Sequence, residues 1–347
     1  MAAYILKRLL LMVPTLLGAL TITFVVMQFV PGGPIEQIMA EARVGQGGGA
    51  GEGGTYKAGR DLDKKQLEEL KKLYGFDKPL HVRYFEMLAS YARFDLGKSF
   101  LQNKQVWDLI KEKLPVSVSL GLWTFLLTYL VSVPLGVAKA VREGGRFDTL
   151  TTALVLLGYA IPGFVLGLLL IVLFAGGSFW DWFPLRGLTS DNWEELSWPA
   201  RIRDYFWHLA LPLTCLVIGS FATITMLTRN TFIEEVRKQY VLVARAKGLS
   251  PRRVLYKHIF RNALIPLVTG FPAAFIGAFF AGALLIETLF SLDGLGLLAY
   301  ESVVRRDYPV VLGSLYLFTL IALVTKLITD LTYVLVDPRV QFGAVGR

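Results

Sequence analysis

The chain has 347 residues, of which 54% are hydrophobic and 18% charged, and its formal net charge is +9. Soluble globular chains carry about 45–50% apolar and about 25% charged residues, so the composition excludes an ordinary soluble domain. The positive charge lies in loops between apolar runs rather than in one basic patch, which disfavours nucleic-acid binding. The single cysteine, Cys215, excludes an intrachain disulfide and reads as a small apolar packing residue.

A helix needs roughly 20 largely apolar residues to cross about 30 Å of hydrocarbon. Six stretches meet that length: residues 9–30, 115–138, 150–175, 207–227, 264–289 and 310–336. The first is longer than the roughly 7–15 residues of a secretory signal. It ends at Pro31-Gly32-Gly33-Pro34, so an uncleaved first span (residues 1–30) is expected. Pro134, Pro162, Pro212 and Pro272 fall within the later stretches, where neighbouring helices can accommodate them. The expectation is an all-α integral membrane protein with six transmembrane helices in the lipid bilayer.

Residues 31–114 form the long loop after the first span. Its Gly-rich part, residues 45–59, cannot bury a core and is expected to be a flexible linker or insertion. Residues 61–74 place Leu67, Leu70, Leu73 and Tyr74 on one helical stripe, with Asp61 and Asp63 at the start and Gly75 as a stop. That stripe packs on its own protein or on an external partner. The five later spans, within residues 115–347, form the core.

Orientation follows from the loop charges. With Lys7 and Arg8 placed in the cytoplasm, the loops on that side hold 16 Lys and Arg, and the two short opposite loops hold 5. The positive-inside bias puts both termini in the cytoplasm and residues 31–114 outside. The second external loop, residues 176–206, carries Trp180, Trp182, Trp193 and Trp198, as expected of interfacial anchors.

No catalytic constellation is present. His81, His208 and His258 lie far apart, without metal-ligand spacing, and no Gly-x-Ser-x-Gly elbow occurs. Gly97-Lys98-Ser99 resembles the end of a phosphate-binding loop, but the required first glycine is replaced by Ala92. No ATP site is expected on this chain. Ionisable residues within spans are the other candidates. Glu287, near the outer end of the fifth span, either lines an external gate or caps its helix. Lys326 and Asp330, spaced i,i+4 in the last span, form either a structural pair or part of a solute path.

The most informative segment is residues 228–262, which reads as two short amphipathic helices joined at Gly248-Leu249-Ser250-Pro251. Glycine ends the first, Ser250 can cap the second, and Pro251 suits its first position. Nine basic residues are opposed only by Glu234 and Glu235. Anionic lipid and a cytoplasmic protein both fit such an elbow. Small residues at Ala244, Ala246 and Gly248 favour close approach of a protein.

Tyr240-Val-Leu-Val-Ala-Arg-Ala-Lys-Gly-Leu-Ser250 resembles the EAA loop of binding-protein-dependent ABC importers, in the form used by peptide permeases. Leu242 stands where other branches carry glutamate. Tyr74-Gly-Phe-Asp-Lys-Pro-Leu80, Asp95-Leu-Gly-Lys-Ser99, Phe290-Ser-Leu-Asp-Gly-Leu-Gly296, Arg306-Asp-Tyr-Pro309 and Asp337-Pro-Arg339 resemble further signatures of that family. Phe183-Pro-Leu-Arg-Gly187 and Glu235-Val-Arg-Lys-Gln-Tyr240 are similar to the Yej-type oligopeptide branch, which also admits microcin C.

The resemblance implies a type I importer permease, working with a second homologous permease, two ATPase subunits and an extracytoplasmic binding protein. ATP and Mg would be bound by the ATPase subunits, with no cofactor on this chain. It also implies that Tyr240, Ala244, Arg245, Ala246, Lys247, Gly248, Leu249 and Ser250 couple to the ATPase, with Ala244, Ala246 and Gly248 in close contact. Dipeptide, nickel chelate or haem remain alternative cargoes. A secondary transporter or a non-transporting membrane scaffold are the rival classes.

Overall fold

The computed structural model describes residues 2–30, 76–177, 179–280 and 284–336. The expected linker at 45–59, the helix expected at 61–74 and the motif beginning at Asp337 lie outside the described residues. Helices dominate: α1 (Ala2–Phe29), α2 (Leu80–Tyr91), α3 (Val106–Val141), α4 (Arg146–Ala160), α5 (Gly163–Phe174), α6 (Trp198–Val236) and α7 (Gln239–Ala246) come first. They are followed by α8 (Pro251–Ala263), then α9 (Ile265–Phe280), α10 (Leu284–Leu289), α11 (Leu295–Val304) and α12 (Tyr308–Val336). Among the described residues there is no named strand, only an isolated bridge between Lys98 and Gln105.

Four helices, α1, α3, α6 and α12, are long and apolar enough to cross a membrane. Two further candidates are bent pairs, α4 with α5 at 90° and α8 with α9 at 49°, so the number reaches six if each pair is one span. The break between α4 and α5 has a local cause. Pro162 disfavours helical backbone at the residue before it, and Ile161 accordingly sits at φ −87°, ψ 118°. Pro134, Pro212 and Pro272 remain inside helices. Helical order extends beyond the apolar stretches, because α3 begins at Val106 and α6 runs from Trp198 to Val236.

Large apolar side chains such as Leu130, Leu150, Leu154 and Leu157 are exposed. In water such a surface would be a liability; in lipid it meets a solvent as apolar as itself. Thr214, Thr228, Thr269 and Thr325 return their hydroxyls to the carbonyl four residues earlier, at 2.7–2.9 Å. Their polar groups are thereby satisfied without water.

The described residues fall in two compact units, one within Met1–Ile5, Leu114–Leu297 and Ile321–Arg347, the other within Leu6–Lys113 and Leu298–Leu320. Two apolar clusters stand out among the described residues of the first. One joins Leu120, Leu209, Leu213, Ile286 and Phe290. The other joins Ala140, Phe232, Val241, Ala244, Val254, Ile259 and Ala263. The second unit is tied by Thr21 to Tyr84 at 2.6 Å and by Ser99, whose hydroxyl donates to Asp307 at 2.5 Å. Ser99 of the Gly-Lys-Ser tripeptide is thus engaged in an internal hydrogen bond.

Candidate functional site

The elbow is built by local rules. Helix α7 ends at Ala246 with Lys247 as its C-cap, and Gly248 follows at φ +78°, the left-handed backbone that glycine adopts without strain. The Gly248 amide donates to the Arg245 carbonyl at 2.9 Å and that of Leu249 to the Ala244 carbonyl at 3.4 Å. These two bonds form a Schellman stop. Ser250 has the extended backbone of an N-cap, but its hydroxyl makes no cap bond. Pro251 occupies the first turn, where a missing amide costs nothing. A π segment, Val254–Ile259, follows within α8.

The elbow has distinct inner and outer faces. Val241 and Ala244 are buried against Phe232, Val254, Ile259 and Ala263, so Ala244 packs inward. Leu242, Val243, Arg245, Ala246, Lys247, Gly248 and Ser250 are exposed, while Tyr240 and Leu249 are half-buried. The Tyr240 hydroxyl donates to Glu235 at 2.6 Å and accepts from the Asn262 amide at 3.2 Å. Lys238 also pairs with Glu235. Burial pushes the Tyr240 phenol above its ordinary value, and the Glu235 carboxylate adds to that while Asn262 opposes it. One tyrosine thus joins α7 to the end of α6 and to α8.

A buried ion cluster lies at the neighbouring ends of α3, α4 and α6. Lys139 is fully buried. Its ammonium lies 3.1 Å from Asp148 Oδ1 and donates to the Asp148 carbonyl and the hydroxyls of Thr151 and Thr152 at 2.6–2.9 Å. Arg229 grips the same carboxylate with two bonds, at 2.8 and 2.6 Å. Such bidentate pairs fix orientation as well as distance. Gly136 lies in the crossing between α3 and α6, where an added Cβ would fall 2.6 Å from Thr228 Cβ and 2.8 Å from the Thr225 carbonyl oxygen. Lys139, Asp148 and Arg229 enter the sequence reading only as loop charges. Opposite charges at the ends of adjoining apolar runs are the signal that could have singled them out.

A cavity of about 600 Å³ opens between α3, α6 and α9, with Tyr159 of α4 and Glu287 of α10 also on its wall. Glu287 is itself buried, and its Oε2 accepts from the Leu297 amide at 2.8 Å. Ser117 Oγ accepts from Leu295 at 2.8 Å. Together they cap the first turn of α11, and Gly294 is required there because an added Cβ would fall 2.6 Å from the Glu287 carboxylate. Glu287 therefore both touches the cavity and caps a helix. Asp330 accepts from the Tyr4 hydroxyl at 2.8 Å, while Lys326 is exposed. Neither lines the cavity.

The family of binding-protein-dependent transport system inner membrane components matches residues 132–342, a range that contains the elbow and most of the cavity wall. The chain is 54% identical to a peptidoglycan transport system permease protein, YejB, of Agrobacterium fabrum, over 99% of both chains. It is 52% identical to an inner membrane ABC transporter permease protein, YejB, of Escherichia coli O157:H7, again over 99% of both. An oligopeptide transport system permease protein, AppB, of Bacillus subtilis is 34% identical over 99% of this chain and 100% of its own. With more than half its length matched and relatives of this identity along its whole span, the chain belongs to the family of binding-protein-dependent transport system inner membrane components.

Proposed function

We propose that this chain is one of two homologous permease subunits of an ATP-driven importer of peptides in the bacterial cytoplasmic membrane. It crosses the bilayer six times, each bent pair counting as one span, with both termini and the elbow on the cytoplasmic side. Residues 1–30 hold the first span, residues 31–114 lie outside, and residues 115–347 hold the type I permease core. An extracytoplasmic binding protein delivers the cargo. Two ATPase subunits bind ATP and Mg and perform the hydrolysis, so the chain itself is not an enzyme.

The single observation that carries this reading is the elbow around Gly248. It is fastened to α6 and α8 by Tyr240, Glu235 and Asn262, yet it turns Leu242, Val243, Ala246 and Gly248 outward. Exposed apolar and small residues on a stiffly anchored turn suit a close-fitting protein partner better than a lipid headgroup. Force applied to such a turn passes to α3, α4 and α6 through the Phe232 cluster and the Asp148 ion cluster. Two packings of those helices are the bistable element that the nucleotide biases. Peptide cargo is supported by the oligopeptide name of the Bacillus subtilis relative, and the peptidoglycan name of the Agrobacterium relative also points to peptide-bearing material.

The test is the intact mass of the tagged protein purified in mild detergent from its native membrane. A second permease and two ATPase copies are expected in the complex. A chain that purifies alone, or only with copies of itself, would leave the elbow without a partner and favour a secondary carrier.

A further inference from the structure

A second cavity, of about 240 Å³, lies within the second compact unit. Its wall brings together Met27 and Gln28 from the last turn of α1, Arg83 and Ser90 from α2, and Tyr308 and Leu312 from the first two turns of α12. The Tyr308 hydroxyl donates to the Met27 carbonyl at 3.2 Å and so ties the two helix ends together. Both α1 and α12 are long and apolar enough to cross a membrane. A cavity at their ends therefore sits at headgroup depth, the level that tyrosine also favours.

Arg83 carries an unspent charge on this wall. Its guanidinium lies 4.1 Å from the centre of the Phe76 ring, and its side chain makes no hydrogen bond or ion pair among the described residues. Stacking covers one face of the group and leaves the N–H donors in its plane free for a forked acceptor. Arg201 and Arg229, also half-buried, spend their donors on backbone carbonyls and on Asp148. Half-buried Arg306 makes no side-chain hydrogen bond either, but it lies off this wall. The Ser90 hydroxyl is likewise unpaired among the described residues. Both groups are accessible, because the sealed polar atoms without a partner are those of Thr124, Thr128 and Thr225. The remaining polar groups are largely committed: Glu86 holds Lys78 at 2.6 Å, Gln28 donates to the Phe24 carbonyl at 2.9 Å, and Asp95 Oδ1 accepts from the Gly97 amide at 3.0 Å. Asp95 Oδ2 stays free on the same wall. Burial pushes the Arg83 guanidinium below its ordinary value, a cost that a bound anion would offset.

We infer that this cavity binds the headgroup of a membrane phospholipid, with the phosphodiester on Arg83 and Ser90 and a headgroup ammonium beside Asp95. A phosphodiester presents paired oxygens to the guanidinium fork, and the Ser90 hydroxyl can donate a further bond. An ammonium-bearing headgroup, as in phosphatidylethanolamine, fits better than a purely anionic one, since Asp95 repels a second negative charge. Soluble phosphate and a peptide carboxylate share the chemistry that Arg83 recognises. Lipid is favoured because the cavity lies at the ends of two spanning helices, where headgroups are concentrated. The bound headgroup acts as a peg between α1, α2 and α12. This inference rests on the spanning placement of α1 and α12 in the proposed function.

The experiment uses the full chain with the subunits that co-purify, washed free of lipid in mild detergent and then given phosphatidylethanolamine or phosphatidylglycerol. Native mass spectrometry counts the lipid retained. Wild type should hold phosphatidylethanolamine in preference to phosphatidylglycerol. Arg83→Gln should weaken that binding roughly 10- to 150-fold, the worth of a charge-assisted hydrogen bond. Arg83→Lys, which keeps the charge without the fork, should fall between. Asp95→Asn keeps an acceptor for the Gly97 amide and should erase the preference between the two lipids. In lipid-free micelles the unfolding midpoint of Arg83→Gln should stay near wild type, because the guanidinium bonds to no acceptor in the chain. Added phosphatidylethanolamine should then raise the wild-type midpoint more than that of the variant. Equal retention by wild type and Arg83→Gln, or a midpoint clearly lowered before lipid is added, would overturn the inference. So would displacement of the lipid by millimolar inorganic phosphate or by an acidic tetrapeptide, which would assign the cavity to a soluble anion. If alkaline carbonate releases the wild-type chain from its membrane, the spanning reading itself fails and this inference falls with it.

Discussion

Replacing Asp148 with alanine is the sharpest test of how the elbow is joined to the spans. The carboxylate is buried between two cations, with Lys139 Nζ at 3.1 Å and Arg229 Nη2 at 2.6 Å. Removing one partner of a buried ion pair costs about 3–5 kcal/mol, because the other charge is left uncompensated. Two features moderate that cost here. Lys139 keeps neutral acceptors in the hydroxyls of Thr151 and Thr152 and the carbonyl of residue 148. Arg229 is partly exposed, with 21% of its side-chain surface accessible, and can turn toward solvent. The loss expected for Asp148→Ala is therefore near the lower limit, about 3 kcal/mol. Equilibrium unfolding in mixed detergent micelles would measure it. The double variant Lys139→Met with Asp148→Leu removes both opposed buried charges, and apolar replacement of a whole buried pair is often neutral. It should recover most of the loss, giving a coupling energy of at least about 1 kcal/mol. Asp148→Ala within about 0.5 kcal/mol of wild type, or a double variant no better than the single, would refute the reasoning.

Two further predictions address the elbow and the helix crossing. Gly248→Asp places a side chain at φ +78° where its Cβ would meet nothing within 4 Å; stability should fall by only about 1 kcal/mol. Peptide uptake should be abolished while immunoblotting shows the protein still in the membrane, and normal uptake would remove the coupling role from this turn. Gly136→Ala forces a methyl to within 2.6 Å of Thr228 Cβ, and overpacking of this kind costs about 1–3 kcal/mol. The same micelle unfolding should register that loss, whereas Ala at open Gly219 should leave the midpoint near wild type.

Much of the architecture is legible in the chain because lipid imposes a strong rule. A spanning segment must satisfy its own backbone, and that demands a long apolar helix visible as a run of residues. The elbow is legible for a different reason. Its stop, Gly248, and its restart, Pro251, are governed by local backbone geometry that neighbours in sequence determine. The family resemblance of residues 240–250 agrees with the matched range 132–342.

Other features depend on which helix faces meet in space, and no local pattern encodes that. Pro162 bends the chain by 90° between α4 and α5, whereas Pro134 and Pro212 stay inside helices; proline alone does not distinguish these outcomes. Ala244, a close-contact position by resemblance, is covered by Phe232 and Val254, because helix phase relative to the neighbouring elements decides which side of α7 faces inward. The i,i+4 spacing of Lys326 and Asp330 is legible, but the Tyr4 hydroxyl that meets Asp330 comes from the other end of the chain. Asp148 and Arg229 are 81 positions apart, and Glu287 and Leu297 meet only because the chain turns back between α10 and α11. Sequence by itself determined the apolar runs and the elbow, because apolar run length and turn chemistry are local. Tertiary structure alone decided which runs are broken, which charges are buried and which small residues face outward, because burial belongs to pairs of surfaces rather than to single residues.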